Sequence, residues 1–500
     1  MDRLGCTFLI PARLAEDRVR AALGALGWQV TETAPTRRHD TYLDTHDGRL
    51  ARAGLQLRRC RGRRRWELFG ADEPVVERGA AAGPTRGAVA RRVAEVAGGE
   101  RLLPVLEVRG TGRTVRLDGP DGPVEAAFET WRLADPLGRS AERLVRVLDL
   151  APSAGERVGR LAEALHRIAG LEPIADVVAE GLRRLGVPRP GAPLPPGLRV
   201  AAPDPPAEVV RKVLGRQALA LRTNVDGAAL DLDPEFVHDL RVATRRSRAA
   251  LRLFGPLLDE ERVAALRVEL TWAAGVLGAV RDLDVLLDRL RSQLARTGVP
   301  RPAARWVLGR LERDRRAALL ALVEALRSSR FAALVEALDA VKALPPEGWP
   351  ANAADWGAAA IRRAARRVGR WQPAADEPTG AELHRLRIAF KRFRYTCEFF
   401  ADALGDEVRA AIRELVRFQD ILGAHQDAVV ALHRLDELVG AAATAGAKPA
   451  LLVALGALQQ VQREEANGRR EAFARAWPRL PKRLRRLRRG LRPPDSEEGS

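Results

Sequence analysis

Two stretches decide how this chain is read: FVHDLRVATRRSRAALRLFGPLL (Phe236–Leu258) and ELHRLRIAFKRFRYTCEFFADAL (Glu382–Leu404). They are copies of one helical pattern, offset by 146 residues (384 − 238). At roughly 100° per residue, His238, Arg241, Arg245, Arg248 and Arg252 fall within an arc of about 80°. His384, Arg387, Lys391 and Arg394 repeat that stripe in the second copy. An apolar stripe runs beside each: Val237, Leu240, Leu251, Phe254 and Leu258, then Leu383, Leu386, Phe390, Phe393, Phe400 and Leu404. Such a helix buries one edge and presents a row of cations along the next. Two copies facing each other would form one basic channel, which suits an extended polyanion. Glu398 is the one acid in the stripes and stands where the first copy has Arg252.

The repeat continues outward. LRVELTWAAGVLGAVRDLDVLL (from Leu266) matches AIRELVRFQDILGAHQDAVVAL (from Ala411), aligning Glu269 with Glu414, Gly278 with Gly423 and Asp282 with Asp427. VVRKVLGR (from Val209) matches AIRRAARR (from Ala360), which adds Arg211, Lys212, Arg362 and Arg363 to the candidate binding residues. The region is therefore two related helical halves, about 207–345 and 350–490, separated near LPPEGWPANAAD. Its length indicates duplication rather than a solenoid of short units. Asp282 and Asp427 read as acids that orient neighbouring arginines.

Composition agrees. The 500 residues are enough for several domains, and 84 Lys+Arg against 65 Asp+Glu give a net charge of +19. Only five of these cations are Lys; Arg binds phosphate oxygens in pairs and stays protonated. Residues 1–185 carry 31 basic and 26 acidic residues, net +5, whereas 186–500 carry 53 and 39, net +14. An anionic partner is expected for the second part. Aromatic residues are 5% of the chain, which argues against a single-stranded nucleic-acid reader built on base stacking. Three cysteines, Cys6, Cys60 and Cys397, are too few and too scattered for a disulfide framework or a zinc site. With no secretory signal and no uncharged apolar run of membrane-spanning length, a cytoplasmic protein is expected.

The first 150 residues read as short strands between turns (CTFLI, RWELFG, VLEVRG, TVRLDG, VEAAFETWRL, RLVRVLDL), with helices near Leu14–Leu26 and Ala154–Ile168. The fold class is thus multidomain: an N-terminal α+β antiparallel, barrel-like domain over 1–185, a Pro-rich linker over 186–206, an all-α domain over 207–490, and a disordered tail over 491–500. In the basic segment Arg479–Arg492, a final helix with a charged outer face competes with a basic arm.

The motif H-x-x-R-[VI]-x-x-[KR]-[RK]-x-R, present twice and followed each time by LG-x-x-x-D, resembles the CHAD family (conserved histidine α-helical domain). The resemblance covers roughly 205–490. It implies two pseudo-symmetric four-helix bundles and binding of inorganic polyphosphate in a basic central pore. No catalyst, cofactor or metal is implied, and polyphosphate granules become the expected location. Its polyphosphate-binding positions would be His238, Arg241, Arg245, Arg246 and Arg248, then His384, Arg387, Lys391, Arg392 and Arg394.

YLDTHDGRLARAGLQLRRCRG, from Tyr42, resembles part of a CYTH domain, the triphosphate tunnel fold, which implies a barrel that holds triphosphate with cations and a divalent metal with Glu. This chain departs from that pattern. Arg3, Gly5 and Thr7 stand where E-x-E-x-K is expected, Phe69 replaces a Lys, RGAVA keeps only Arg86, and the closing strand keeps only Asp149. The carboxylate cluster needed to hold a cation is expected to be missing, leaving Arg58, Arg86, Arg113 and Arg116 to line a basic interior. The alternatives are a triphosphatase or polyphosphatase in this barrel, with Glu67, Glu107 or Glu129 supplying the metal site, and a nucleic-acid-binding protein.

Overall fold

A computed structural model of the full chain describes residues 7–61, 65–70, 75–78, 87–120, 122–150, 161, 163–167, 171–174, 176–188, 198–296, 298–371 and 378–491. Arg3, Gly5, Cys6, Arg86, residues 189–197 of the linker and the tail from 492 lie outside the described residues. The chain divides into two compact units, Met1–Pro195 and Pro196–Ser500.

The first unit is an antiparallel sheet with helices, as its punctuated strand pattern predicts. Among the described residues nine strands pair in the order β5-β4-β3-β2-β6-β7-β8-β1-β9. They are β1 (Thr7–Ile10), β2 (Gln29–Thr45), β3 (Gln56–Cys60), β4 (Arg65–Phe69), β5 (Val75–Arg78), β6 (Leu102–Gly119), β7 (Gly122–Ala134), β8 (Arg143–Leu150) and β9 (Glu172–Ile174). Helices α1 (Glu16–Ala25), α2 (Arg49–Arg52), α3 (Gly87–Ala97) and α4 (Val177–Leu185) complete the described elements. Two of the strands are far longer than the sequence suggests: β2 has 17 residues and β6 has 18. β6 reads as two segments, VLEVRG and TVRLDG, and β2 is not among the expected strands because Thr, Arg and Pro interrupt its alternation, yet the two pair continuously from Gln29↔Asp118 to Thr45↔Leu102. Gly110 and Gly112 let this sheet close up: a Cβ on Gly112 would lie 1.9 Å from the Phe128 carbonyl oxygen.

The second unit is all helical. Its elements are α5 (Pro206–Ala229), α6 (Pro234–Phe254), α7 (Glu260–Leu294), α8 (Arg301–Arg327), α9 (Ser329–Asp339), α10 (Ala353–Gly369), α11 (Gly380–Leu404), α12 (Asp406–Thr444), α13 (Pro449–Ala476) and α14 (Leu480–Gly490). Among the described residues each half thus contains four long helices plus a short fifth of 11 residues. The fifth helix packs on the first in both halves, α9 on α5 and α14 on α10. The basic segment from Arg479 is therefore a final helix rather than a free arm: Leu480, Leu484 and Leu487 are buried and Arg483 pairs with Glu414.

The start of each signature helix is fixed locally. Asp233 caps α6 by accepting from the Glu235 N–H at 2.8 Å, with Pro234 in the first turn. Thr379 and Glu382 form a capping box on α11, with bonds of 3.3 and 2.8 Å. The apolar stripes are buried as their spacing predicts, except that Leu258 and Leu404 at the helix ends are half-buried. The far ends of the hairpins α7–α8 and α12–α13 meet in one core, where Leu287, Leu290, Val307 and Leu311 pack with Leu435, Leu438, Leu455 and Leu458. Helix α7 is by length and composition apolar enough to cross a membrane. Here it is a bundle helix with Leu270, Leu277, Val280 and Leu290 buried.

The halves differ in how their cores are filled. Phe390 and Phe393 occupy the positions of Thr244 and Ser247 (offset 146). Both hydroxyls are fully buried and donate back to the carbonyls of Leu240 and Ala243, at 2.8 and 2.9 Å. Phe390 instead stacks on Phe418 with ring centroids 5.4 Å apart. Phe390→Ala should therefore cost about 3–5 kcal/mol through cavity formation, whereas Thr244→Ala should cost about 1 kcal/mol. Denaturant unfolding followed by helical circular dichroism checks this; equal losses at the two sites would contradict it.

Candidate polyanion site

The cation stripes of α6 and α11 come together, because these two helices pack against each other across the halves. Arg241, Arg245, Arg387 and Lys391 form a single electrostatic cluster, with Asp282 and Asp427 as its acids. Arg241 Nη1 donates to Asp282 Oδ1 at 2.6 Å. Arg245 donates to the buried Tyr395 hydroxyl, and the guanidinium of Arg394 lies 5.3 Å from the centre of the same ring. Tyr395 thus packs against both cations and organises them.

Four cations against two carboxylates leave the cluster short of negative charge. Burial, followed by the charges of Arg387, Arg245 and Arg241, pushes the Lys391 ammonium down to about 7. Burial also lowers Arg387; Asp427 opposes that shift, and Arg245 and Arg241 add to it. Asp427 itself is raised by burial, against the pull of Arg387, Arg289 and Lys391. The Nε of Arg387 is buried without a hydrogen-bond acceptor. Donors in this state favour an incoming anion, since a buried donor left unpaired costs about 1–3 kcal/mol.

Other candidates are placed differently. His384 is exposed, with Nδ1 2.8 Å from Gln426 Oε1. His238 is half-buried, and burial and then Arg281 hold its imidazole below the ordinary range. Arg246 pairs with Glu398 at 2.8 Å, and Arg394 pairs with the same carboxylate at 3.3 Å. Arg248, Arg252 and Arg392 are exposed. Arg211 pairs with Glu208, Lys212 pairs with Asp204 at 2.8 Å, Arg362 donates to the Leu491 carbonyl, and Arg363 is exposed. None of these last four makes a described contact with the central cluster. Asp282 orients Arg241 as expected. Sequence reasoning missed Tyr395, Arg281 and Arg289. Only Tyr395 carried a signal, as a lone hydroxyl in a row of phenylalanines.

A separate cleft of about 690 Å³ is lined by Asp231, Asp233, Glu235, Asp284, Asp288 and Glu312 together with four arginines. Arg315 ties Asp231 to Asp284 there, at 2.6 and 2.5 Å. This mixed-charge cleft is not the cation site.

The first unit corrects the expectation of a basic interior. The sheet face that carries Arg58 also carries Asp40, Glu67, Glu129 and Asp149, paired with its arginines. Arg38 Nε donates to Glu129 at 2.9 Å, and Arg38 also pairs with Asp149 and Asp40. Arg58 Nε donates to Glu67 at 2.8 Å, and Thr7 donates to Asp149 at 2.7 Å. Burial opposes the charge on Arg38, but Asp149, Glu129 and Asp40 more than offset it and hold the guanidinium above its ordinary range. Nor do Arg113 and Arg116 line a basic interior with Arg58. Three residues apart on β6, they point to opposite faces, are exposed, and pair with Glu32 and Asp118 at 2.7 and 2.8 Å. Glu107 pairs with Arg109 at 3.2 Å, away from this network. Among the described residues no group of three or more His, Cys, Asp or Glu is arranged to hold a metal ion.

A family model for the CHAD domain matches residues 212–436. Two uncharacterized proteins of Mycobacterium tuberculosis, MT2285 and Rv2226, are each 30% identical to this chain over 384 residues, covering 74% of it and 68% of their own length. The chain belongs to the CHAD domain family. PptA from Streptomyces chartreusis is 26% identical, with a TM-score of 0.44, covering 55% of this chain and 100% of PptA. The CHAD domain from the plant Ricinus communis is 27% identical, with a TM-score of 0.43, covering 60% of this chain and 96% of its own. The family match begins at Lys212 and so includes both signature helices of the CHAD repeat.

The lowered Lys391 has a testable sign. Its ordinary value is 10.5 and the folded value is about 7. The cost of its charge is therefore fully present below pH 7 and fades as pH rises toward 10.5. Lys391→Met should raise Tm at pH 6 by roughly 2–4 °C for each kcal/mol relieved, with most of the advantage gone by pH 10. A variant that is less stable than wild type at pH 6 would contradict the crowding.

Proposed function

We propose that the CHAD domain binds inorganic polyphosphate along the cation face built by α6 and α11, without catalysis. The supporting observation is the convergence of Arg241, Arg245, Arg387 and Lys391 from two copies of one helix, with Lys391 pushed down to about 7. A helix repeats a side chain about every 5–6 Å along one face, so successive phosphates of a condensed chain can each meet a cation. Association with polyphosphate granules is part of the same reading. Duplex DNA is a poorer fit, because its charges lie on the outside of a wide cylinder rather than on a thin strand.

Long-chain polyphosphate should bind far more tightly than duplex DNA at equal phosphate concentration and 0.15 M salt, with log affinity falling linearly against log salt concentration. Equal affinity would favour the nucleic-acid reading. Arg241→Glu combined with Arg387→Glu should lower polyphosphate affinity by at least about 100-fold, as two phosphate contacts become repulsions. Neither residue lies on the buried apolar stripe, so circular dichroism should be unchanged. Parallel loss of helicity would assign these arginines a structural role instead.

For the first unit we propose that it is not a metal-dependent triphosphatase. The support is the engagement of Glu129, Asp149, Asp40 and Glu67 by Arg38 and Arg58. Cations and carboxylates that already neutralise one another are poorly disposed to hold either a metal or a phosphate chain. Purified protein with Mg²⁺ or Mn²⁺ should release no phosphate from triphosphate above background. Turnover that is lost on Glu129→Gln would overturn this.

A further inference from the structure

The duplication is broken at one position, and the break changes charge. Under the offset of 146, Arg246 corresponds to Arg392, Arg248 to Arg394 and Arg252 to Glu398. Where α6 meets α11 on one side, Glu398 is closed from both directions: Oε2 lies 2.8 Å from Arg246 and Oε1 lies 3.3 Å from Arg394. The equivalent trio on the other side is Arg392, Arg252 and Arg248, with an arginine where the carboxylate stood. Among the described residues these three have no carboxylate partner.

A fourth cation joins them. Nη2 of Arg267, on α7, lies 3.7 Å from where a Cβ on Gly255 would sit, immediately after the last residue of α6. All four arginines are exposed. Burial and then the charges of Arg392, Arg248 and Arg267 lower Arg252, as expected for guanidiniums held near one another. Asp259, close to this end of α6, is occupied in capping α7 through the Arg262 N–H at 2.8 Å. The carbonyl end of α6 supplies a favourable dipole, about 0.3–1 kcal/mol per cation at most, which does not neutralise four charges. An anion would.

We propose that Arg248, Arg252, Arg267 and Arg392 form an anchoring site for a phosphate group, so that the cation face has an open, anion-seeking flank here and a closed, self-paired flank at Glu398. A condensed phosphate chain would be held from the open flank, across Arg241, Arg245, Arg387 and Lys391, and meet an ion-paired boundary beyond. Guanidiniums suit this task because each can donate two hydrogen bonds to one phosphate. The extension to a chain rests on the polyphosphate reading; the phosphate anchor does not.

The test uses the full-length protein and two ligands. Pyrophosphate reports the anchor through thermal stabilisation, and long-chain polyphosphate reports the whole face by titration. Arg252→Glu should convert the open flank into a copy of the closed one and reduce both signals, with polyphosphate affinity falling at least about tenfold. Arg252→Gln should fall between this and wild type, and serves if the charge reversal disturbs folding. The double swap Arg252→Glu with Glu398→Arg keeps net charge constant and moves the open flank to the other side, so affinity should return to within about threefold of wild type. Polyphosphate binding that is indifferent to Arg252→Glu, or a well-folded swap that fails to recover, would overturn the anchor while leaving the polyphosphate reading intact. Arg252-dependent stabilisation by pyrophosphate without tight polyphosphate binding would keep the anchor and remove the chain. No response to either ligand would remove both.

Discussion

Everything distinctive in the helical unit follows from packing two arginine-striped helices against each other. Like charges repel by about 1 kcal/mol at 4 Å even in water, and by about 4 kcal/mol at the effective dielectric of a protein surface. A protein that crowds Arg241, Arg245, Arg387 and Lys391 must hold them with something else. The apolar stripes do this: Leu240, Phe254, Leu386, Phe390 and Phe400 are completely buried alongside the cations. So does the core shared by the hairpin ends, which fastens one half to the other. The stress that remains appears where a side chain can relieve it, in a lysine that gives up its proton near neutrality. Arginine cannot follow, which makes Lys391 the natural reporter of the cluster's state.

The two units treat buried charge in opposite ways. In the sheet, Arg38 and Arg58 are matched by Asp40, Glu67, Glu129 and Asp149, and burial costs are offset pair by pair. In the helical unit the central cations outnumber the acids. A neutralised network is rigid and uninterested in ions; an under-neutralised one gains from any anion able to enter. This contrast, rather than net charge alone, separates a structural charge network from a binding surface.

Much of this was legible in the sequence, for identifiable reasons. The 3.6-residue period and the 146-residue offset revealed the duplication, the apolar stripes and the cation stripes, because those depend on spacing alone. Of the two short fifth helices, α14 was one of two readings of the basic segment, whereas α9 follows α8 with only Ser328 between them and was not separated from it. The expectation of a basic sheet face failed for another reason. Register in a long, bulged pair such as β2–β6 shifts at Glu32/Ala34 and Tyr42/Leu43, so sequence motifs do not say which face a residue takes. Arg38 was overlooked because it sits in a polar run, TRRHD, that resembles a loop and is in fact the middle of a 17-residue strand. Arg113 and Arg116 were grouped with Arg58 on composition, although their spacing of three puts them on opposite faces of one strand. That Asp282 orients an arginine was legible from the repeat; which arginine, Arg241 at 41 residues' separation, emerges only when the helices are packed.

The most direct measurement of the central claim is the proton balance of binding. Calorimetric titration of long-chain polyphosphate at pH 8, repeated in buffers of different ionisation enthalpy, counts protons taken up by the complex. A lysine at about 7 is roughly nine-tenths neutral at pH 8 and must recharge beside a phosphate chain, so about one proton should be absorbed per site engaged. That uptake should vanish in Lys391→Met. Binding at pH 8 with no proton uptake, or with uptake that Lys391→Met leaves unchanged, would contradict the account of a charge-starved cation face completed by its ligand.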